Sequence, residues 1–107
     1  MTHQIDKLTS VLIDDVEPSD VAPGITRRRL PGEQVAARAF DFAPGTTRPD
    51  VDHHRAEELI YVASGEMLDN GARFPAGSFL HYHPGSSHRP GTETGARILV
   101  FSLPWKP

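Results

Sequence analysis

Turn signals interrupt this chain so often that it can form only short regular segments. Its 107 residues include nine glycines and ten prolines, and these are spread between short apolar runs. That spacing is typical of many short strands joined by tight turns, and it leaves little room for long helices. The length suits a single domain with one modest core. We therefore predict one all-β barrel or sandwich.

The run LIYVA at 59–63 is the most apolar stretch, with acidic residues before it and a Ser-Gly pair after it. This pattern predicts a strand that is covered on both faces and lies centrally in its sheet. Because successive side chains of a strand point to opposite faces, Glu58, Ile60 and Val62 should share the inward face. Further strands are predicted at 35–42, 79–83 and 97–102.

Asn70-Gly71 is the strongest hairpin signal in the chain. Both residues tolerate the positive φ that a type I′ turn requires. The turn should therefore join a strand at 66–69 to a strand at 72–74.

The two ends of the chain are less clear. Residues 11–13 could form an edge strand, whereas the acidic residues and the proline that follow them favour a loose arm. We divide the chain into an arm or edge strand at 1–22 and a barrel at 23–107. The triplet at 27–29, the only charge run, indicates either a solvated strand edge or a site for phosphate or acid. Trp105 should pack as a lid on the barrel edge or contact substrate.

The charge balance favours small molecules as binding partners. Fourteen acidic and eleven basic residues give a net charge of -3, so the chain has no basic footprint for nucleic acid and no polybasic membrane patch. The first twenty residues carry acid where a signal peptide needs a positive flank, which predicts a cytoplasmic protein. The chain has no cysteine, so any metal must be held by nitrogen and oxygen ligands.

Histidines and carboxylates cluster in one segment. Five of the six histidines fall there, namely His53, His54, His81, His83 and His88. In a strand, residues i and i+2 share a face, so Asp52 and His54 can point at one ion while His53 points away. Glu58 can add an oxygen ligand from the next strand, and a tight turn can deliver His88. Solvated surface histidines are the alternative.

The same segment resembles the two signature motifs of the cupins. The first motif has two histidines one residue apart, then a glutamate and a glycine; Asp52, His54, Glu58 and Gly65 keep that spacing, with Asp52 in place of the first histidine. The second motif runs from Gly77 through Gly85 to His88, with His83 in place of its proline. The residues of these motifs are similar to those of the small cupins related to zinc-binding anti-sigma factors and to acetylacetone dioxygenase.

The resemblance implies a cupin double-stranded β-helix, a jelly-roll-like barrel, with one divalent metal ion bound by Asp52, His54, Glu58 and His88. If Asp52 stays outside the inner shell, the other three form a two-histidine, one-carboxylate triad with open positions, as in non-haem iron oxygenases. If Asp52 binds, the set of two nitrogens and two carboxylates suits iron, manganese, nickel or zinc alike.

Three functions stay open at this point. The barrel could be an enzyme, a dioxygenase-like oxidoreductase or an isomerase, acting on a small oxygen-bearing substrate such as a diketone, hydroxy acid or sugar derivative. It could be a non-catalytic sensor of a ligand or of redox state. It could also be a barrel that the metal only stabilises. His81 and His83 are the candidate proton-transfer or substrate-contact residues, with an outward polar face as the alternative. The apolar outer face of the 59–63 strand predicts a homodimer.

Overall fold

The computed structural model describes residues 2–104 and confirms the all-β prediction. The only helical segment in that range is the 3-10 turn Ile13–Asp15. The strands are β1 (Thr2–Ile5), β2 (Leu8–Val11), β3 (Ser19–Ala22), β4 (Ile25–Leu30), β5 (Ala36–Phe42), β6 (Asp52–His53), β7 (Glu58–Asp69), β8 (Ala72–Pro75), β9 (Phe79–Tyr82), β10 (Ser87–His88) and β11 (Ala96–Ser102).

Seven of these strands form one antiparallel sheet, in the order β3-β4-β5-β11-β7-β8, with β9 also paired to β7. β6 and β10 pair with each other in a short ribbon, and β1 and β2 form a separate hairpin. Two isolated bridges, from Gly91 to Thr47 and to Leu68, join the loops beside this ribbon to β7. Every strand pair is antiparallel, as expected for strands joined by short turns.

β7 is the central strand, as the apolar run predicted. Its first half pairs with β11 on one side and β9 on the other, and its second half pairs with β8. Ile60 and Val62 are fully buried and Glu58 is nearly so, whereas Tyr61 on the opposite face is 40% exposed. The inward face of this strand is therefore the predicted one. The core around it comprises Ile25, Phe40, Phe42, Ile60, Val62, Met67, Leu80, Ile98 and Val100.

The predicted hairpin is present. Asn70 and Gly71 have φ of 51° and 76°, and Asp69 pairs directly with Ala72 across the turn. Positive φ at both central residues is what a type I′ turn requires.

Residues 11–13 differ from both of their expected structures. The 11–13 segment is neither an edge strand of the barrel nor a loose arm, because Val11 ends β2 of the β1–β2 hairpin and a 3-10 turn follows. β3 lies within the 1–22 segment and pairs with β4 at the sheet edge, and the division at residue 22 stays a prediction. Trp105 lies outside the described residues.

Arg27, the first residue of the arginine triplet, does not lie on a free strand edge. β4, which carries it, pairs with β3 on one side and with β5 on the other. Arg27 and Arg28 are half-buried on opposite faces of the strand, and only Arg29 is exposed. The expectation of a solvated strand edge is therefore wrong for Arg27, because sequence alone does not reveal that β3 pairs with β4 as far as this residue.

Gly65 is the position at which the backbone itself excludes a side chain. It lies in β7 with a φ of 71°, and a Cβ there would sit 1.9 Å from the carbonyl oxygen of Gly95. This close approach lets β7 pass β11 where their register shifts. The glycine of the first motif therefore has a packing reason as well as a conformational one.

We predict that Gly65→Ala destabilises the protein by at least about 3 kcal/mol, because it adds a backbone clash to an unfavourable φ. Gly71→Ala is the matched control, since Gly71 has a similar φ of 76° but nothing within 4 Å of its Cβ position. It should cost only about 1–2 kcal/mol. Urea unfolding of both variants measures the difference, and equal losses would contradict the proposed role of the close approach.

Candidate metal centre

The β6–β10 ribbon brings the predicted ligands together. His88 in β10 lies directly opposite Asp52 in β6, so their side chains share one face. His54 continues the ribbon, because its N–H donates to the Ser86 carbonyl and its own carbonyl accepts from the Gly85 N–H, each at 2.9 Å. Since residues two apart share a face, His54 joins Asp52 and His88 on that side.

Glu58 meets this ribbon from the first position of β7. One ligand atom from each of Asp52, His54, Glu58 and His88 lies within 4.8 Å of all the others. The Oε1 atom of Glu58 is 3.1 Å from His88 Nε2 and 3.3 Å from His54 Nε2. Asp52 is more distant, with Oδ2 4.0 Å from His88 Nε2. Its side chain is 47% exposed, against less than 10% for the other three.

Glu58 is a buried carboxylate held by several donors. Ser102 Oγ donates to its Oε2 at 2.9 Å, and Arg38 Nη2 lies 3.9 Å from the same oxygen. Burial by itself raises the pKa of Glu58, but the hydrogen bond from His88 and the charge of His54 act in the opposite direction. The net result is a pKa below the usual glutamate value, so the carboxylate is ionised.

The residues present fit a divalent metal ion. His54 Nε2 is buried and has no hydrogen-bond partner among the described residues, although it faces Glu58. A buried polar atom without a partner is costly, and coordination to a metal would satisfy it. Two ligand atoms that each lie about 2.1 Å from one ion are separated by roughly 3–4 Å. The distances of Glu58 Oε1 from His54 Nε2 and His88 Nε2, and of Asp52 Oδ2 from His88 Nε2, fall in that range.

Tyr82 completes the site, and the sequence analysis missed it. Its ring stacks on His88 with centroids 4.5 Å apart, and its hydroxyl donates to Asp69 Oδ2 at 2.7 Å. Burial and the hydrogen bond to Asp69 raise the pKa of Tyr82, so the phenol stays neutral. Tyr82 lies opposite Glu58 in the register of β7 and β9, so its direction depends on this pairing, which no signal in the sequence gives.

His81 and His83 do not lie at the site, contrary to the expectation that their strand face approaches it. His81 pairs with Leu59 and so faces outward from the sheet, where its Nε2 contacts Glu57 Oε2. The His83 ring packs against it with centroids 4.3 Å apart, and both residues are exposed. The one-residue offset from Tyr82 gives these two histidines the opposite face. His53 is also exposed, as predicted.

A cavity of about 120 Å³ adjoins three of the four side chains, because Asp52, Glu58 and His88 belong to its lining. The rest of its lining combines apolar side chains from the core sheet with arginines, namely Phe40, Phe42, Ile98, Val100, Pro90, Arg27, Arg38 and Arg48. A small molecule in this cavity would lie directly against the candidate ligands.

The antiparallel barrel and the two ordered motifs define a cupin, as the resemblance implied. The sequence profile described as the ChrR cupin-like domain matches residues 7–106. The chain belongs to this family.

Solved structures agree with this assignment. The chain is similar to the anti-sigma factor ChrR from Rhodobacter sphaeroides, solved in complex with SigE, at 26% identity and a TM-score of 0.76, covering 85% of this chain and 51% of that one. It therefore spans about half the length of that relative. The polyketide cyclase RemF from Streptomyces resistomycificus shares 22% identity, with a TM-score of 0.81 and coverage of 90% and 79%.

An acetylacetone dioxygenase candidate from Methylibium petroleiphilum shares 15% identity, with a TM-score of 0.78 and coverage of 96% and 81%. The likeness to this structure and to the cyclase concerns the fold alone. No curated protein sequence matches the chain. Among the described residues, no helix has the length and apolar character needed to cross a membrane.

We predict a specific acid sensitivity for the metal-free protein. Because the pKa of Glu58 is depressed by folding, its carboxylate contributes stability above its unfolded value of about 4.5, and this contribution is lost as the pH falls through the lower folded value. Glu58→Gln should therefore lose less stability than the wild type below about pH 4.5. Urea unfolding in the presence of chelator measures this loss.

Glu33→Gln is the control for that experiment, because it changes an exposed carboxylate outside the site. It should follow the wild-type acid profile. Identical profiles for Glu58→Gln and the wild type would contradict the stabilising role of the ionised Glu58.

Proposed function

We propose that the chain binds one divalent first-row metal ion through His54, Glu58 and His88, with Asp52 as a fourth and weaker ligand. The observation that carries this proposal is the buried, unpartnered Nε2 of His54, which faces an ionised carboxylate and a second buried imidazole. Two nitrogens and one or two carboxylate oxygens suit iron, manganese, nickel or zinc.

The function that this geometry supports best is metal-dependent chemistry on a small oxygen-bearing substrate, with dioxygenase-type oxidation and isomerisation as the reaction classes. The ion would supply a Lewis acid at the cavity wall. The chain's own residues bind and orient the substrate. Apolar side chains such as Phe40 and Val100 exclude water from part of the cavity, and Tyr82 fixes the ring plane of His88.

The second candidate function is a non-catalytic barrel that senses a ligand or redox state through its metal. Membership in the ChrR cupin-like family and the similarity to an anti-sigma factor favour it. Oxygen uptake by the iron-loaded protein, with small diketones, hydroxy acids and sugar derivatives, separates the two functions, and nuclear magnetic resonance of the same mixtures detects isomerisation. Turnover supports the enzyme, whereas binding without turnover supports the sensor.

We predict that the wild type retains close to one zinc or manganese ion per chain after dialysis, and that His54→Ala and His88→Ala each lose most of it. Asp52→Ala should weaken binding less than His88→Ala, because Asp52 is the exposed and distant member of the group. His53→Ala is the matched control, since this neighbouring histidine is exposed and faces away. Elemental analysis measures all four variants.

Acid gives the same proposal a second readout. Imidazole binds a metal only in its neutral form, so two histidine ligands require two protons to enter as the ion leaves. The apparent affinity should fall in acid with a limiting slope approaching two per pH unit. Full occupancy in both His54→Ala and His88→Ala would show that the ligands are wrongly assigned.

We also propose that the protein is a cytoplasmic homodimer. Tyr61 and Phe79 are cross-strand partners on the outer face of β7 and β9, and they are 40% and 64% exposed. A second copy would bury this pair. Light scattering should return twice the 11.8 kDa mass, and Phe79→Ser should shift it to the monomer. A monomeric wild type at working concentration would exclude the dimer.

A further inference from the structure

Three arginines converge on the cavity beside the candidate metal centre. Arg27 in β4 pairs with Phe40 in β5, and Arg38 precedes Phe40 by two residues, so the two arginines share the inner face of the sheet. Arg48 lines the same cavity from the loop after β5. Its backbone N–H donates to the Pro90 carbonyl at 2.9 Å. Three guanidinium groups therefore face two carboxylates, Asp52 and Glu58, around one cavity.

The hydrogen bonds of these arginines are incomplete. The Nε atoms of Arg27, Arg38 and Arg48 are all buried, and none has a hydrogen-bond partner within residues 2–104. Arg28, the neighbour of Arg27 on the outer face, differs, because its Nε donates to the Val16 carbonyl at 2.9 Å and its Nη1 pairs with Asp41. On the inner face Arg38 Nη2 donates to Ser102 Oγ, but the three Nε donors stay without a partner among the described residues.

Such a cluster is costly without an anion. Buried donors without partners lose the hydrogen bonds that water would supply, and neighbouring positive charges repel each other. Burial lowers the pKa of Arg38, and the charge of Arg27 adds to this effect. A negatively charged ligand would satisfy the free donors and relieve the repulsion.

Two guanidinium groups are also held in place by an aromatic ring. The Cζ atoms of Arg38 and Arg48 each lie 5.9 Å from the centroid of Phe40. A planar guanidinium that is fixed in this way can present two parallel N–H groups to a carboxylate.

We propose that the cavity binds a small organic carboxylate, with its carboxylate group on Arg27, Arg38 and Arg48. The ligand's other polar end faces Glu58 and His88; this orientation rests on the proposed metal site, whereas the arginine contacts do not. A volume of about 120 Å³ corresponds to roughly four waters, which suits a ligand of a few carbon atoms. The apolar wall of Phe42, Ile98 and Val100 suits a carbon skeleton better than an inorganic oxyanion.

Isothermal titration with malonate tests the proposal on the metal-loaded protein. Malonate should bind at least tenfold more tightly than its neutral analogue malonamide and more tightly than inorganic phosphate. Arg27→Gln and Arg48→Gln should each weaken malonate binding about tenfold or more. Arg73→Gln is the control, because Arg73 is exposed, lies outside the cavity lining and pairs with Glu66 and Glu93.

Circular dichroism verifies that the variants fold. Arg27→Lys is a second variant for the case in which Arg27→Gln does not fold. It keeps the positive charge but loses the planar guanidinium, so it should bind malonate several-fold more weakly than the wild type. Elemental analysis of the same samples keeps the two proposals apart. Arginine-dependent malonate binding to a protein without metal would support the carboxylate site and contradict the metal site. The carboxylate site would be overturned if the arginine variants bind malonate with unchanged affinity. The same holds if malonamide or phosphate binds as tightly as malonate.

Discussion

The buried carboxylate of Glu58 is the constraint on which the candidate site depends. An ionised group with a side chain only 7% exposed needs partners on every side. Each partner comes from a different element: His88 from β10, His54 from the connection before β7, Ser102 from the end of β11 and Arg38 from β5. Burial of one residue thus ties the short ribbon to the main sheet. Among the groups around the Glu58 carboxylate, His54 Nε2 has no hydrogen-bond partner within the described residues. Coordination to a metal ion would satisfy this atom.

The central strand and the clustering of the candidate ligands could be predicted because they follow from local rules. Alternation on β7 fixes Glu58, Ile60 and Val62 on one face, and the Asn70-Gly71 pair fixes the hairpin. The expectation for His81 and His83 was wrong because it did not include the register between β7 and β9. Tyr82 pairs with Glu58 and shares its face, so the histidines on either side of Tyr82 lie on the opposite face. A one-residue offset in register moves every side chain of a strand to the other face. The prediction therefore needed the pairing partner as well as the strand.

The inner arginines could not be predicted in the same way, because their direction depends on non-local pairing. Three consecutive arginines carry no alternation signal, so the sequence does not show which of them points inward. The register with β5 decides it: Arg27 lies beside Phe40, and Arg28 lies on the outer face with Asp41. There Asp41 also accepts from Arg97, which reaches Asp14 in the 3-10 turn. The arginine triplet thus contributes to both faces of the sheet. Arg28 belongs to an ion network that links the N-terminal segment to the outer face, and Arg27 has an unpaired Nε donor on the inner face.

The charge of this cavity also gives a physical reason for the aspartate at position 52. A histidine there would leave Glu58 as the single carboxylate of the cavity lining, facing three guanidinium groups and, in the proposed metal-bound form, a divalent ion as well. Burial lowers the pKa of Arg38 and Arg27 adds to that effect, whereas the negative charge of Asp52 acts with that of Glu58 in the opposite direction. The 47% exposed side chain of Asp52 keeps its own cost of desolvation small. The departure from two histidines in the first motif and the arginines of the same cavity therefore form one electrostatic arrangement, in which a more anionic set of candidate ligands offsets the positive charge of the three arginines.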